Sequence, residues 1–150
     1  MDFETWKDKS EIRDADALPV QLDKPGGRIL IAEDDLSVCQ VLRKVLSPYY
    51  QVDLFQTAQT ALDAFARGDY QLAIVDLGLP SMPGDQLVAR LKQQNANLAT
   101  LIITGWDLQE NDPRRDAFDF YVQKPFHDIG LLQEVVSMAV QLYRTRVNGI

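Results

Sequence analysis

Four short apolar runs in this chain each stop at a residue able to do chemistry. The runs at 29–32, 72–75, 101–103 and 120–122 end at or near Glu33-Asp34-Asp35, Asp76, Thr104 and Lys124 respectively. Carboxylates packed together repel one another, so they stay ionised only beside a cation, or one takes up a proton. Oxygen-only ligands with room for water and phosphate suit magnesium or manganese far better than zinc. A carboxylate beside such an ion is a competent nucleophile toward phosphorus, and the product is an acyl phosphate. Phosphoryl transfer asks mainly for positioning and charge neutralisation. Lysine is a compact point charge able to hold one phosphoryl oxygen, and a threonine hydroxyl can donate to another. The set is therefore acids for a metal, one acid as acceptor, one lysine and one hydroxyl.

These residues meet only if the runs are neighbouring strands. Ile29-Leu30-Ile31-Ala32 is continuous, as in a strand buried on both faces. Val38, Val41, Leu42, Val45 and Leu46 then recur at helical spacing, and Ser47-Pro48 ends that helix. A second strand spans 51–55. Thr57 is the expected N-cap of a helix burying Ala61, Leu62, Ala64 and Phe65, closed by Gly68. The third strand ends at Asp76, and the Gly- and Pro-rich stretch 78–84 is expected to be irregular. Leu87, Val88 and Leu91 mark a third helix. Strands ending at Thr104 and near Lys124 follow, then a long helix carrying Leu131, Leu132, Val135, Val136, Ala139, Val140 and Tyr143. Repeated strand–helix units of this length imply an α/β fold: a doubly wound parallel sheet, helices on both faces, right-handed crossovers. Ligands gather at the carboxyl ends of such strands, which lie about 4.8 Å from their neighbours.

Composition sets limits on the rest. With 150 residues, 46% of them hydrophobic and 25% charged, the chain is one domain with an ordinary core. Residues 1–27 read as a flexible leader ending at Pro25-Gly26-Gly27, with Phe3 and Trp6 able to dock on the domain or a partner; 28–150 is the domain. One cysteine, Cys39, excludes an internal disulfide and is expected to be an inert core thiol. No signal peptide or span of about 20 apolar residues is present, so a cytoplasmic protein without membrane attachment is expected. The net charge of -7 argues against direct nucleic-acid binding. Arg144 and Arg146 read as a solvated helix end, and His127 as a surface residue.

The segment from Arg28 to about Tyr143 resembles a response-regulator receiver domain, the flavodoxin-like module of two-component signalling and phosphorelays. The matching motifs are ILIAEDD at 29–35, AIVDLGLPSMPG at 73–84, LIITG at 101–105 and YVQKPF at 121–126. The resemblance implies five parallel strands in the order 2-1-3-4-5. It implies Asp76 as phosphoacceptor, Asp34 as a direct ligand of Mg2+ (or Mn2+), Glu33 as a ligand through water, and the Gly78 carbonyl as the remaining protein ligand. Lys124 would pair with the acceptor and then the phosphoryl group, with the peptide to Pro125 cis. Thr104 and Tyr121 would form the switch pair, the ring turning inward behind the hydroxyl. The donor would be a sensor histidine kinase or a histidine phosphotransfer protein, the output a change of protein contacts.

Taken singly, each residue has an ordinary explanation: Asp76 a turn, Glu33-Asp34-Asp35 a helix start, Lys124 a solvated cation, Tyr121 packing. Their coincidence at one sheet edge is what singles them out. The family places a fourth helix between Thr104 and Lys124. Here GWDLQENDPRRDAFDF has poor apolar periodicity and Pro113 in its middle, so that helix is expected to be short, broken or replaced by loop. Phosphatases of the haloacid-dehalogenase type share an aspartate nucleophile and magnesium, but want a second aspartate where Gly78 stands. A stand-alone receiver is expected; a receiver excised from a longer regulator, or a receiver-shaped scaffold with phosphorylation uncoupled from output, are the alternatives.

Overall fold

The computed structural model describes residues 27–149. The expected leader over 1–27 therefore lies, apart from Gly27, outside the described residues. Five strands, β1 (Arg28–Ala32), β2 (Gln51–Phe55), β3 (Leu72–Asp76), β4 (Ala99–Thr104) and β5 (Phe120–Gln123), form one parallel sheet in the order β2-β1-β3-β4-β5. Helices α1 (Leu36–Leu46), α2 (Ala58–Phe65), α3 (Gly84–Gln94) and α4 (Ile129–Asn148) cover its two faces.

The alternation of side chains along each strand divides the core in two. Leu30, Ala32, Ala73, Val75 and Ile102 point to one face, where Ala61 and Phe65 of α2 and Leu87, Val88 and Leu91 of α3 meet them. Ile29, Ile31, Leu72, Ile74, Leu101 and Ile103 point to the other, against Leu42 and Leu46 of α1 and Leu132, Val136 and Val140 of α4. β1, β3 and β4 are covered on both sides, which is why they read as unbroken apolar runs.

Local signals account for the helix starts. The carboxylate of Asp35 accepts from the Ser37 N–H, Thr57 Oγ1 from Thr60 N–H, and Asp128 from Leu131 N–H. Asp35 is thus the cap of α1. Gly68 is not the stop of α2, which ends at Phe65 with Ala66 as C-cap; Gly68 instead lies beside Tyr70, whose ring would meet an added Cβ at 2.5 Å. The irregular stretch ends one residue sooner than expected, because α3 begins at Gly84.

Between β4 and β5 the described chain forms loop and one 3-10 helix, Pro113–Ala117. Proline is tolerated in that first turn, and Asp112 caps it by accepting from Arg114 N–H at 2.9 Å. Leu108 and Phe118 from this segment are buried and close the α2/α3 side of the core, where a full helix would otherwise pack.

Arg146 is not a solvated helix end. Its guanidinium makes a two-pronged contact with Asp119, at 2.7 and 3.0 Å, and donates to the Leu98 carbonyl at 2.9 Å. Asp119 also accepts from the Thr100 N–H at 3.0 Å, so this cluster ties α4 to the starts of β4 and β5.

Candidate functional site

The site lies at the carboxyl end of the sheet, where β1, β3, β4 and β5 stop side by side. Glu33 follows β1 and its N–H donates to the Phe55 carbonyl at 2.9 Å, which holds it level with the end of β2. Its side chain is fully buried, whereas Asp34 turns outward and is exposed. Asp76 closes β3 and is 8% exposed. One ligand oxygen from each of Glu33, Asp34 and Asp76 lies within 4.8 Å of the others.

Two local devices hold Asp76 in place. Asp76 Oδ1 accepts from the Gly78 N–H at 3.1 Å. Beneath it, Gly84 approaches the main chain so closely that a Cβ there would lie 2.3 Å from the Asp76 carbonyl oxygen. Only glycine allows α3 to start this near the end of β3. Gly84 N–H completes the contact by donating to the Leu77 carbonyl at 2.9 Å.

Lys124, just past β5, reaches across the sheet end. Its ammonium donates to Glu33 Oε1 at 2.9 Å and lies 3.6 Å from Asp76 Oδ1. The resemblance implies a lysine–acceptor pair; here the closer partner is Glu33. Burial pushes the Glu33 carboxyl up to about 6, outweighing the Asp35 N–H and Lys124 hydrogen bonds that favour its charged form. Burial also disfavours charge on Lys124, but the hydrogen bond and charge of Glu33, with the charge of Asp76, raise its pKa above the ordinary value. The Lys124–Pro125 peptide is cis.

One ammonium lies against two of three clustered carboxylates, and the third, Asp34, is open to solvent. That donor set fits a hard divalent cation such as magnesium. Among the described residues the Cys39 thiol donates to the Glu33 carbonyl at 3.3 Å; it is buried, with burial raising its pKa, and it points away from ligand chemistry.

Thr104 ends β4, 2% exposed, and its Oγ1 accepts from the Trp106 N–H at 3.1 Å. Its carbonyl accepts from the Lys124 N–H at 2.7 Å, so hydroxyl and lysine share a register. Tyr121 is half-buried, and its hydroxyl donates to the Trp106 carbonyl at 2.7 Å and accepts from the Leu108 N–H at 3.2 Å. Arg115 lies 5.0 Å over that ring and donates to the Leu108 and Gln109 carbonyls. Residue typing did not single out Trp106 or Arg115, because neither carries an acid or hydroxyl and their role depends on where the 105–119 loop folds. Four of the expected site residues, Glu33, Asp34, Asp76 and Lys124, are brought together; Gly78 and Thr104 adjoin them, and Tyr121 stands one step behind, bonded to the Trp106 loop.

The model of the response regulator receiver domain matches residues 29–136. Regulatory protein VanRB of Enterococcus faecalis is 36% identical over 116 residues, covering 74% of this chain and 51% of that protein. The chain spans about half the length of the curated relatives it matches, several of them transcriptional regulatory proteins. A CheY-like response regulator receiver domain protein from Methanospirillum hungatei superposes with a TM-score of 0.73 at 25% identity, covering 79% of this chain and 97% of that one. The response regulator protein TrrA of Thermotoga maritima, solved in complex with Mg(2+)-BeF, gives 0.66 at 25% identity, covering 73% of this chain and 96% of that one. Among the described residues no helix is long and apolar enough to cross a membrane. With the match covering most of its length and the fold and strand order agreeing, this chain belongs to the response regulator receiver domain family.

Proposed function

We propose that Asp76 accepts a phosphoryl group from a sensor histidine kinase or a histidine phosphotransfer protein, and that the modified domain then changes its protein contacts. The observation that carries this reading is the convergence of Glu33, Asp34 and Asp76 with the Lys124 ammonium against two of them. In the transfer, an Asp76 carboxylate oxygen bonds to phosphorus as the P–N bond to the donor imidazole breaks, the nitrogen keeping the electron pair. Lys124 holds one phosphoryl oxygen. The Thr104 hydroxyl, already accepting from Trp106, keeps its own proton to donate to another.

Asp34, Asp76 and the Gly78 carbonyl would hold a magnesium or manganese ion directly, and Glu33 through water. When bound, the ion neutralises charge on the carboxylates and on the phosphoryl oxygens. The Mg(2+)-BeF complex of TrrA supports magnesium as the ion. Phosphorylation adds about -1.5 to -2 charges at Asp76. Drawing Thr104 toward that charge disturbs its bond to Trp106, whose carbonyl Tyr121 holds, so the 105–109 loop is the first segment to respond. Gly78 in place of a second aspartate favours an acceptor over a phosphatase.

A second reading, phosphorylation without altered output contacts, draws support from one observation: the 105–119 segment holds only a five-residue 3-10 helix. Equal partner affinity of the phosphorylated and unphosphorylated forms would favour it. Incubation with acetyl phosphate tests the main reading. Acid-stable, base-labile phosphate is expected with magnesium and not without it, and not in Asp76→Asn; incorporation indifferent to both would overturn it.

A further inference from the structure

At the amino end of the sheet, away from the acids, Pro48, Tyr49 and Tyr50 face Ser137, Val140, Gln141 and Arg144 of α4 across a groove of about 420 Å³. Tyr49 is 56% exposed, and Met138 on the same stretch of α4 is 53% exposed. Tyr49 meets Tyr50 edge-on, with ring centroids 6.5 Å apart. The groove therefore has an aromatic wall, an aliphatic floor and a cation at one end.

The chain enters the sheet beside this groove. The Gln51 N–H, one residue past Tyr50, donates to the Gly27 carbonyl at 2.9 Å. Twenty-six residues precede Gly27, with seven acidic and four basic side chains among them. Nearest to Gly27 they carry one apolar cluster: Leu18, Val20 and Leu22, spaced two apart around Pro19. Proline favours extended backbone for itself and for the residue before it, and in extended chain every second side chain shares a side.

We propose that the groove is the docking site of this chain's own segment 18–22, its apolar side chains on Tyr49 and Val140 and its flanking Asp16 and Asp23 toward Arg144. The reach is sufficient. Leu22 lies five residues from Gly27, a span of up to about 17 Å, and Leu18 nine residues, about 30 Å. Ser137 to Arg144 covers only about 10 Å of helix. Tethering raises the effective concentration of the segment to the millimolar range, so a contact too weak for a separate partner suffices. A second copy lacks that advantage and brings together two chains of net charge -7.

The test compares amide spectra of the full chain with those of Leu18→Asp/Val20→Asp/Leu22→Asp, changes that leave every buried core residue among the described residues intact. The expected result outside the substituted segment is a set of shifts confined to 49–50 and 137–144, together with Gly27 and Gln51, independent of protein concentration. Tyr49→Ser should move the amides of 18–22 in return. Shifts absent from the groove, or concentrated instead along 62–67 and 90–94, would overturn the proposal. So would groove shifts that vary with protein concentration, since a second copy would then be the occupant.

Discussion

The Lys124 ammonium donates to Glu33 Oε1 at 2.9 Å, joining the end of β5 to the end of β1 across the two strands between them. Glu33 is wholly buried, so this cation is its compensation.

Lys124→Met should therefore destabilise the fold as well as disable the site. Removing one partner of a fully buried pair costs about 3–5 kcal/mol. Lys124 retains 19% exposure, so a loss of about 2–3 kcal/mol is expected. Urea unfolding at pH 7 measures it, and adding Glu33→Gln should restore most of the loss. An unchanged midpoint in the single variant would show that the pair carries no stability.

Gly84→Ala should be damaging in a way its chemistry does not suggest. An added Cβ would lie 2.3 Å from the Asp76 carbonyl oxygen and 2.8 Å from Leu77 Cα. Overpacking against main chain costs about 1–3 kcal/mol, and the shift here falls on the acceptor residue. Gly105→Ala is the control, because its Cβ meets nothing within 4 Å and its φ is not positive. Acid-stable phosphate uptake and unfolding midpoints should fall in the first variant and hold in the second.

How much of this was legible beforehand follows from which interactions are local. β1, β3 and β4 are buried on both faces, so their apolar runs and the polar residues ending them were readable one residue at a time. Pro113, with poor apolar periodicity around it, likewise announced the loss of a full helix. The Glu33–Lys124 pairing was not readable, because Glu33 and Asp76 both lie close to the lysine and geometry alone selects between them. Arg146 reads as a solvated helix end for a related reason: its partner Asp119 is 27 residues earlier and meets it only through packing of α4. Gly84 reads as loop punctuation until β3 is seen lying against it.

The Asp119–Arg146 cluster should shape acid unfolding. Burial pushes the Asp119 carboxyl up, but the Arg146 hydrogen bonds, the Thr100 N–H and the charges of Lys92 and Arg146 together hold it below its ordinary 3.8. A carboxyl depressed in the folded state binds its proton more readily when unfolded. Its stabilisation is therefore present above about pH 4 and lost as pH falls through the lower folded value. Asp119→Asn should lower the neutral-pH unfolding midpoint and flatten its decline below pH 4. An acid limb of unchanged steepness would contradict the assignment.

Magnesium should stabilise the wild-type chain. A ligand at 100 times its Kd adds about 2.7 kcal/mol to the folded state. Asp34→Asn removes an exposed carboxylate and relieves repulsion without disturbing the core, so its Tm without magnesium should be no lower than wild type while the magnesium-induced rise shrinks. An equal rise in both proteins would place the ion elsewhere.

The most direct test is chemical mapping of the modified residue. After reaction with a phosphorylated histidine donor in magnesium, borodeuteride reduction and peptide mass analysis should put the label on residue 76 of the peptide following β3. Label on any other side chain, or none under conditions where the donor loses its phosphate, would contradict the assignment of Asp76 as acceptor.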